Sequence, residues 1–367
     1  MEPLKYVYNK VFITNFSTAI EQVIPAFDKN VFFNDVFDND WDTKELKQRM
    51  RHITLALKKQ LPSNYDEMLT VVLKIVKQLQ NNAINEQSFE WMFLPEFIEL
   101  YGLDDFISSV NAFEILTQFT SCEFAVRPFI VKFPIKMMNQ MLVWSKHKSE
   151  HVRRLASEGC RPRLPWAMAL PELKKDPKPI LPVLENLKND ISEYVRRSTA
   201  NNLNDIAKDN PKTVIKIAKK WIGNTTETDK LVKHACRTLL KQGNSEIMAL
   251  FGFGSIKNIN ISQFKIPNKN INIGDYLHFS FQLENLSNTS IKLRLEYAIY
   301  YQKANGTLTK KVYKISEKEY VENTITIIER KQSFKLISTR KFHFGLHQIA
   351  IVVNGNELGK FDFWLVD

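Results

Sequence analysis

Arg154 and Glu158 stand four residues apart in VRRLASE, and Arg197, Asn201 and Asp205 stand four apart in VRRSTANNLND. On a helix, residues at that spacing lie one above another, so each segment presents one polar face of guanidinium, carboxylate and amide groups. A carboxylate on such a face can stabilise a developing cation or orient a water, while an arginine can hold a phosphate. A solvated outer helix face accounts for the same spacing, and the pattern alone leaves the two readings level.

The two segments are copies of one pattern. Val152-Arg153-Arg154 opens the first and Val195-Arg196-Arg197 opens the second, 43 residues later. A fainter third copy begins 37 residues on at Val232-Lys233-His234, and its helical stretch LVKHACRTLLKQ continues the ladder with His234, Thr238 and Gln242. Repeats of this length built from paired helices predict an all-α HEAT-like solenoid. Between the first two copies, six prolines from Pro162 to Pro182 rule out a single helix and predict a short one around Trp166 to Leu173 between stiff turns. That joint would place Trp166 beside Arg161 and Arg163. After the second copy, PKTVIKIAKKWI (211–222) predicts a helix with a buried stripe and a basic face that includes Lys212, Lys216, Lys219 and Lys220.

The flanking chain follows the same logic. Helical spacing recurs in KVFITNFSTAIEQVIPAF, in TKELKQRMRHITLALKKQL with Asp42-Thr43 as its start signal, and in NYDEMLTVVLKIVKQLQ. The aromatic cluster of FEWMFLPEFIELYGL (89–103) is expected in the core. The pattern stays helical over 104–148, with breaks at Pro128 and Pro134. After GFGSIKNINIS the period changes to two, in YLHFSFQL, KLRLEYAIYY, TITIIE, HQIAIVV and FDFWLV, with turns at Ala304-Asn305-Gly306 and Asn354-Gly355. That predicts an all-β immunoglobulin-like sandwich of about seven strands. The expected architecture is therefore an α+β multidomain chain: a helical domain over 1–254 and a sandwich over 255–367.

Charge is unevenly spread. Residues 1–144 carry 14 Lys/Arg against 18 Asp/Glu (net −4), residues 145–245 carry 21 against 11 (net +10), and residues 246–367 carry 16 against 11 (net +5). The excess coincides with the repeats and suits a polyanion such as a nucleic acid backbone, although a basic soluble surface would look the same. Aromatic residues are sparse there, which argues against a stacking platform for long single strands. Three cysteines, Cys122, Cys160 and Cys236, form no CxxC pair, so neither a disulfide framework nor a zinc site is expected. No signal peptide and no apolar run near the ~18 residues of a membrane helix is found, so a soluble protein of a reducing cytoplasm is expected.

Three strings carry a resemblance. FTSCEFAVRPFI (119–130), ASEGCRPRLPW (156–166) and VRRSTANNLNDIAKDNP (195–211) resemble, in the same order, stretches of the AlkC branch of the AlkC/AlkD DNA alkylation repair glycosylases. YAIYYQKANGTLTKKVYK (297–314) resembles a hairpin of the immunoglobulin-like domain that follows the helices in AlkC proteins. The resemblance covers nearly the whole chain, and GCRPRLPW is a string that no general HEAT repeat needs. It implies that Glu123, otherwise an ordinary acidic residue near a helix start, joins Asp205 and Glu158 as catalytic residues. It also implies that Trp166 belongs to the lesion pocket.

Alkylation at a ring nitrogen makes the base cationic and weakens its glycosidic bond, so the leaving group needs no proton. A carboxylate near the anomeric carbon, Asp205 foremost, would stabilise the charge that develops on the sugar. The expected protein is a monomeric, monofunctional glycosylase of the bacterial cytoplasm and nucleoid. It would excise 3-methyladenine, and 3-methylcytosine as a further substrate, from duplex DNA without metal or cofactor. Arg154, Arg161, Arg163, Arg197, Lys219 and Lys220 would bind DNA. The alternative is a non-catalytic HEAT scaffold for nucleic acid or an acidic partner.

Overall fold

Short polar side chains start the first helices by accepting hydrogen bonds from backbone N–H groups that the helix itself cannot satisfy. In the computed structural model, which describes residues 3–82, 87–337 and 340–367, Asn9 caps α1 (Lys10–Glu21) and Asp28 caps α2 (Lys29–Val36). α3 (Leu46–Lys58) begins with a reciprocal box between Glu45 and Gln48, which displaces the start expected at Asp42-Thr43. Asn64 caps α4 (Tyr65–Asn81); α5 (Glu96–Tyr101) follows, and Asp105 caps α6 (Phe106–Leu116).

Next come α7 (Val126–Lys132), α8 (Pro134–Trp144), α9 (Glu150–Glu158), α10 (Pro171–Lys175) and α11 (Leu181–Leu187). The helical part ends with α12 (Glu193–Asp209), α13 (Pro211–Trp221), α14 (Thr226–Ala235), α15 (Arg237–Lys241) and α16 (Ser245–Leu250). Pro134 opens α8, where its missing N–H costs nothing, whereas Pro128 sits inside the first turn of α7 and breaks no helix. Among the described residues, no helix is long and apolar enough to cross a membrane.

The chain divides into two units, Met1–Asn210 with Trp221–Ala235, and Pro211–Lys220 with Cys236–Asp367. In the first, Trp91 and Phe93 pack edge-on or tilted against Tyr8, Phe12 and Phe16, so the aromatic cluster is core. α12 packs against both α9 and α14, so helices of all three repeat copies lie side by side. Two local expectations fail. The stretch LVKHACRTLLKQ is interrupted at Cys236, which leaves His234 on α14 and Thr238 on α15. The short helix of the proline joint begins only at Pro171, because Trp166 adopts φ +64°, a left-handed value that a right-handed helix cannot contain.

The second unit holds the strands β1 (Ile259–Lys265), β2 (Asn270–Asn272), β3 (Tyr276–Asn285), β4 (Ile291–Gln302), β5 (Leu308–Tyr320), β6 (Ile325–Ser333), β7 (Gly345–Val353) and β8 (Asn356–Val366). They form a three-stranded sheet in the order β1-β3-β6 and a five-stranded one in the order β2-β8-β7-β4-β5. Leu277, Phe279, Phe281 and Leu283 of β3 share one core with Leu293, Leu295, Tyr297 and Ile299 of β4 and with β7 and β8 residues. Among the described residues, eight strands stand where about seven were expected; β2 is three residues long and too short to show a period. Asn354 and Gly355, at φ 46° and 81°, make the tight turn between β7 and β8 that the Asn-Gly pair signals.

Candidate active site

The amphipathic pattern of α9 buries Val152, Leu155 and Ala156, which turns Arg154 and Glu158 towards neighbouring segments. Arg154 Nη1 meets Glu123 Oε2 at 2.7 Å, from the turn just before α7, and its Nη2 stands 3.7 Å from Glu158 Oε1. The Arg154 guanidinium also lies 4.7 Å from the centre of the Tyr194 ring. Three residues past Glu158 the chain turns back, and Arg161 Nη1 reaches the same Glu158 oxygen at 2.6 Å. Arg161 Nε and Nη2 both lie 2.9 Å from Asp205 Oδ2 on α12, while Lys208 Nζ holds Asp205 Oδ1 at 2.9 Å. Three carboxylates and three cations thus form one chain of ion pairs.

Hydroxyl groups complete the set. Ser198 Oγ donates to Glu158 Oε2 at 2.5 Å, and Ser121 Oγ donates to Glu123 Oε2 at 2.8 Å. Asp205 is 1% exposed, Glu158 5% and Arg161 7%. Charges this deeply placed persist only when paired. Burial by itself would lower both guanidiniums, but Glu123 and Glu158 outweigh it at Arg154, and Glu158 and Asp205 at Arg161, so both stay above the ordinary arginine value.

A cavity of about 300 Å³ opens beside this network. Leu46, Met50, Phe89 and Met92 give it an apolar wall, and Glu123, Glu158, Arg161 and Trp166 line it as well. Asp205 is joined to it through Arg161. The Trp166 side chain is 64% exposed, and Lys47 Nζ donates to the Trp166 carbonyl at 3.1 Å.

The remaining expected residues have surroundings of their own. Arg163 pairs with Asp209 through two hydrogen bonds at 2.8 and 2.6 Å at the surface. Arg197 is exposed and lines a groove of about 340 Å³ with Arg196, Lys230 and His234. On the exposed face of α13, in the second unit, Lys219 pairs with Glu246 at 2.6 Å, and Lys220 is exposed beside it. Two arginines expected at DNA, Arg154 and Arg161, pair with Glu123, Glu158 and Asp205. Ser198 and Lys208 went unnoticed in the sequence, although Ser198 lies seven residues before Asp205 and therefore on its helix face, and Lys208 lies three residues after it. Among the described residues, no group of three or more His, Cys, Asp or Glu is placed to hold a metal ion.

Known proteins match this chain along its length. The family described as uncharacterised protein YhaZ, C-terminal Ig-like domain, matches residues 260–367. The uncharacterized protein YhaZ of Bacillus subtilis (strain 168) is 42% identical over 363 residues, which is 99% of each chain. The solved structure of the Pseudomonas fluorescens alkylpurine DNA glycosylase AlkC, bound to DNA containing an abasic site analog, is 34% identical and superposes with a TM-score of 0.93 over 100% of both chains. Identity at this level, running from the helices through the sandwich, shows that the chain belongs to the AlkC-type family of DNA alkylation repair glycosylases.

Proposed function

We propose that the chain is a monofunctional DNA glycosylase that hydrolyses the N-glycosidic bond of cationic N3-alkylated bases, 3-methyladenine and also 3-methylcytosine, in duplex DNA. One observation carries this reading: carboxylates from three separate segments, Glu123, Glu158 and Asp205, converge on shared guanidiniums at a cavity bordered by Trp166. Such a base leaves as a neutral molecule, so the enzyme needs no general acid. What speeds the reaction is negative charge facing the sugar as the bond breaks.

A full charge pair about 4 Å apart at an effective dielectric near 20 is worth roughly 4 kcal/mol, close to a thousandfold in rate. Arg161 and Lys208 offset part of that field, so Glu123 and Glu158, which line the cavity, share the work with Asp205. Trp166 favours a cationic base over a neutral one by about 0.5–2 kcal/mol when its face is presented. Arg163, Arg197, Lys219 and Lys220 are exposed and supply phosphate contacts. Arg154 and Arg161 hold the carboxylates in place.

The test is to incubate the purified protein with methylated duplex DNA in the presence of a chelator and to follow free bases and abasic sites. Release of 3-methyladenine with an intact strand at each abasic site is expected. Tight duplex binding with no base released would overturn the enzyme reading in favour of a scaffold.

A further inference from the structure

The segment between α9 and α10 carries both Arg161 and Trp166, yet it has no regular structure of its own. Within it, Ala167 N–H donates to the Leu164 carbonyl at 3.3 Å and Leu170 N–H to the Pro162 carbonyl at 3.2 Å. Neither bond ties it to the rest of the unit. Arg161 and Arg163 tie its side chains to α12, and its backbone is held by Arg127, on the first turn of α7. Its Nη1 donates to the Gly159 carbonyl at 2.9 Å and its Nε to the Met168 carbonyl at 2.7 Å. One guanidinium therefore grips the loop at both ends, before Arg161 and after Trp166.

Arg127 is 0% exposed. A buried cation whose hydrogen bonds go to neutral carbonyls and not to a carboxylate is costly to keep. Its two bonds run to backbone carbonyls, acceptors that persist whatever side chains stand there. A planar fork fits two carbonyls at once, whereas a lysine ammonium, a point charge on a flexible stem, holds one well and the other poorly. A second pin acts on the tip: Lys47 of α3 donates to the Trp166 carbonyl, at the one residue of the loop whose backbone is left-handed. Such a conformation persists in a non-glycine residue when its surroundings enforce it.

We propose that Arg127 is a positioning residue, which with Lys47 fixes the Gly159–Met168 loop so that Trp166 and Arg161 face the cavity in one arrangement. The consequence for excision rests on the glycosylase reading above; the consequence for the loop does not. Losing one end of the grip loosens Trp166 and lets Arg161 drift from Glu158 and Asp205. Chemistry suffers while the exposed phosphate contacts are untouched.

The experiment uses the full chain labelled with 5-fluorotryptophan, in which the six tryptophans give separate fluorine resonances and Trp166→Phe identifies one of them. Arg127→Lys is the informative variant, since it keeps charge and bulk where Arg127→Met could fail to fold. The Trp166 resonance is expected to shift or broaden while the other five stay, with single-turnover excision about tenfold slower and duplex affinity within twofold. Lys47→Met is expected to move the same resonance alone. An unmoved Trp166 resonance in Arg127→Lys would overturn the proposal, as would a disturbance of all six, which would make Arg127 a general structural residue. A Trp166 shift with the parent excision rate would overturn the positioning role. If the parent chain excises nothing but the Trp166 resonance alone moves, the grip stands and the glycosylase reading falls.

Discussion

Arg161 places two nitrogens, Nε and Nη2, on a single oxygen of Asp205, each at 2.9 Å, and leaves the other oxygen to Lys208. The two acceptor oxygens of one buried carboxylate are thus divided between a buried cation and one whose side chain is 40% exposed. Of the two partners, only Lys208 can leave for solvent cheaply. The arrangement gives Asp205 a fixed orientation and one replaceable cation.

Removing the fixed partner should be expensive. Arg161→Met leaves Glu158 and Asp205 buried without their shared guanidinium, and breaking a buried ion pair from one side costs roughly 3–5 kcal/mol. Chemical denaturation should register a loss of that size. A loss under about 1 kcal/mol would mean that water already reaches these carboxylates.

Arg154 and Arg197 occupy the same position in the two repeat copies but should behave differently in salt. Arg197 is exposed, so Arg197→Ala should flatten the dependence of log affinity on log salt by about 0.9, the share of one phosphate contact. Arg154 is paired with Glu123, so Arg154→Ala should destabilise the fold and leave the slope unchanged. Equal slopes for Arg197→Ala and the parent would remove Arg197 from the phosphate contacts.

Glu96 gives the fold a pH dependence. Burial pushes its carboxyl from the ordinary 4.5 up to about 7, against the pull of Arg51, whose Nε stands 3.1 Å away. Because the folded chain then holds a proton that the unfolded chain has released, stability is full below about pH 4.5 and falls as pH rises to 7. The loss is at most roughly 3 kcal/mol, from the 1.36 kcal/mol attached to each pH unit. Glu96→Gln should therefore melt higher relative to the parent at pH 8 than at pH 5. A gap between the two proteins that is the same at both pH values would show that Glu96 titrates normally.

Periodicity carried the reading furthest where helices are regular. Four-residue spacing put Arg154 and Glu158 on one face of α9, and the 43-residue repeat put α9 against α12, which carries Asp205. The alternation of apolar residues likewise marked β3, β4, β6, β7 and the second half of β8, but not β5, the longest strand. What spacing could not reveal depends on irregular backbone. Arg161 turns back onto Glu158 and Asp205 because a proline-rich loop reverses the chain, and that reversal has no period. Trp166 escaped the helix expected there through one left-handed residue. Glu123 meets Arg154 across 31 positions, so no local pattern links them, and only the resemblance of FTSCEFAVRPFI to a known stretch brought it forward.

Asp205 and Lys208 together give the sharpest test of the chemistry. Asp205→Asn keeps the shape of the side chain and removes its charge, so the developing positive sugar loses stabilisation while the ground state, and with it DNA affinity, changes little. Single-turnover excision of 3-methyladenine should fall roughly 10²- to 10⁴-fold. Asparagine also leaves Arg161 with one fewer carboxylate, so a stability measurement on the same variant must accompany the rate. Lys208→Met acts in the opposite sense: it removes the exposed cation that competes for Asp205 Oδ1, so the rate should hold or rise by up to about tenfold, since a unit of charge offset is worth on the order of 1–2 kcal/mol at a partly exposed site. A loss in Asp205→Asn with no loss in Lys208→Met would mark the carboxylate, and not the ion pair, as the working group. If both variants slow excision equally, the pair serves the fold, and the role moves to Glu123 or Glu158, which line the cavity directly.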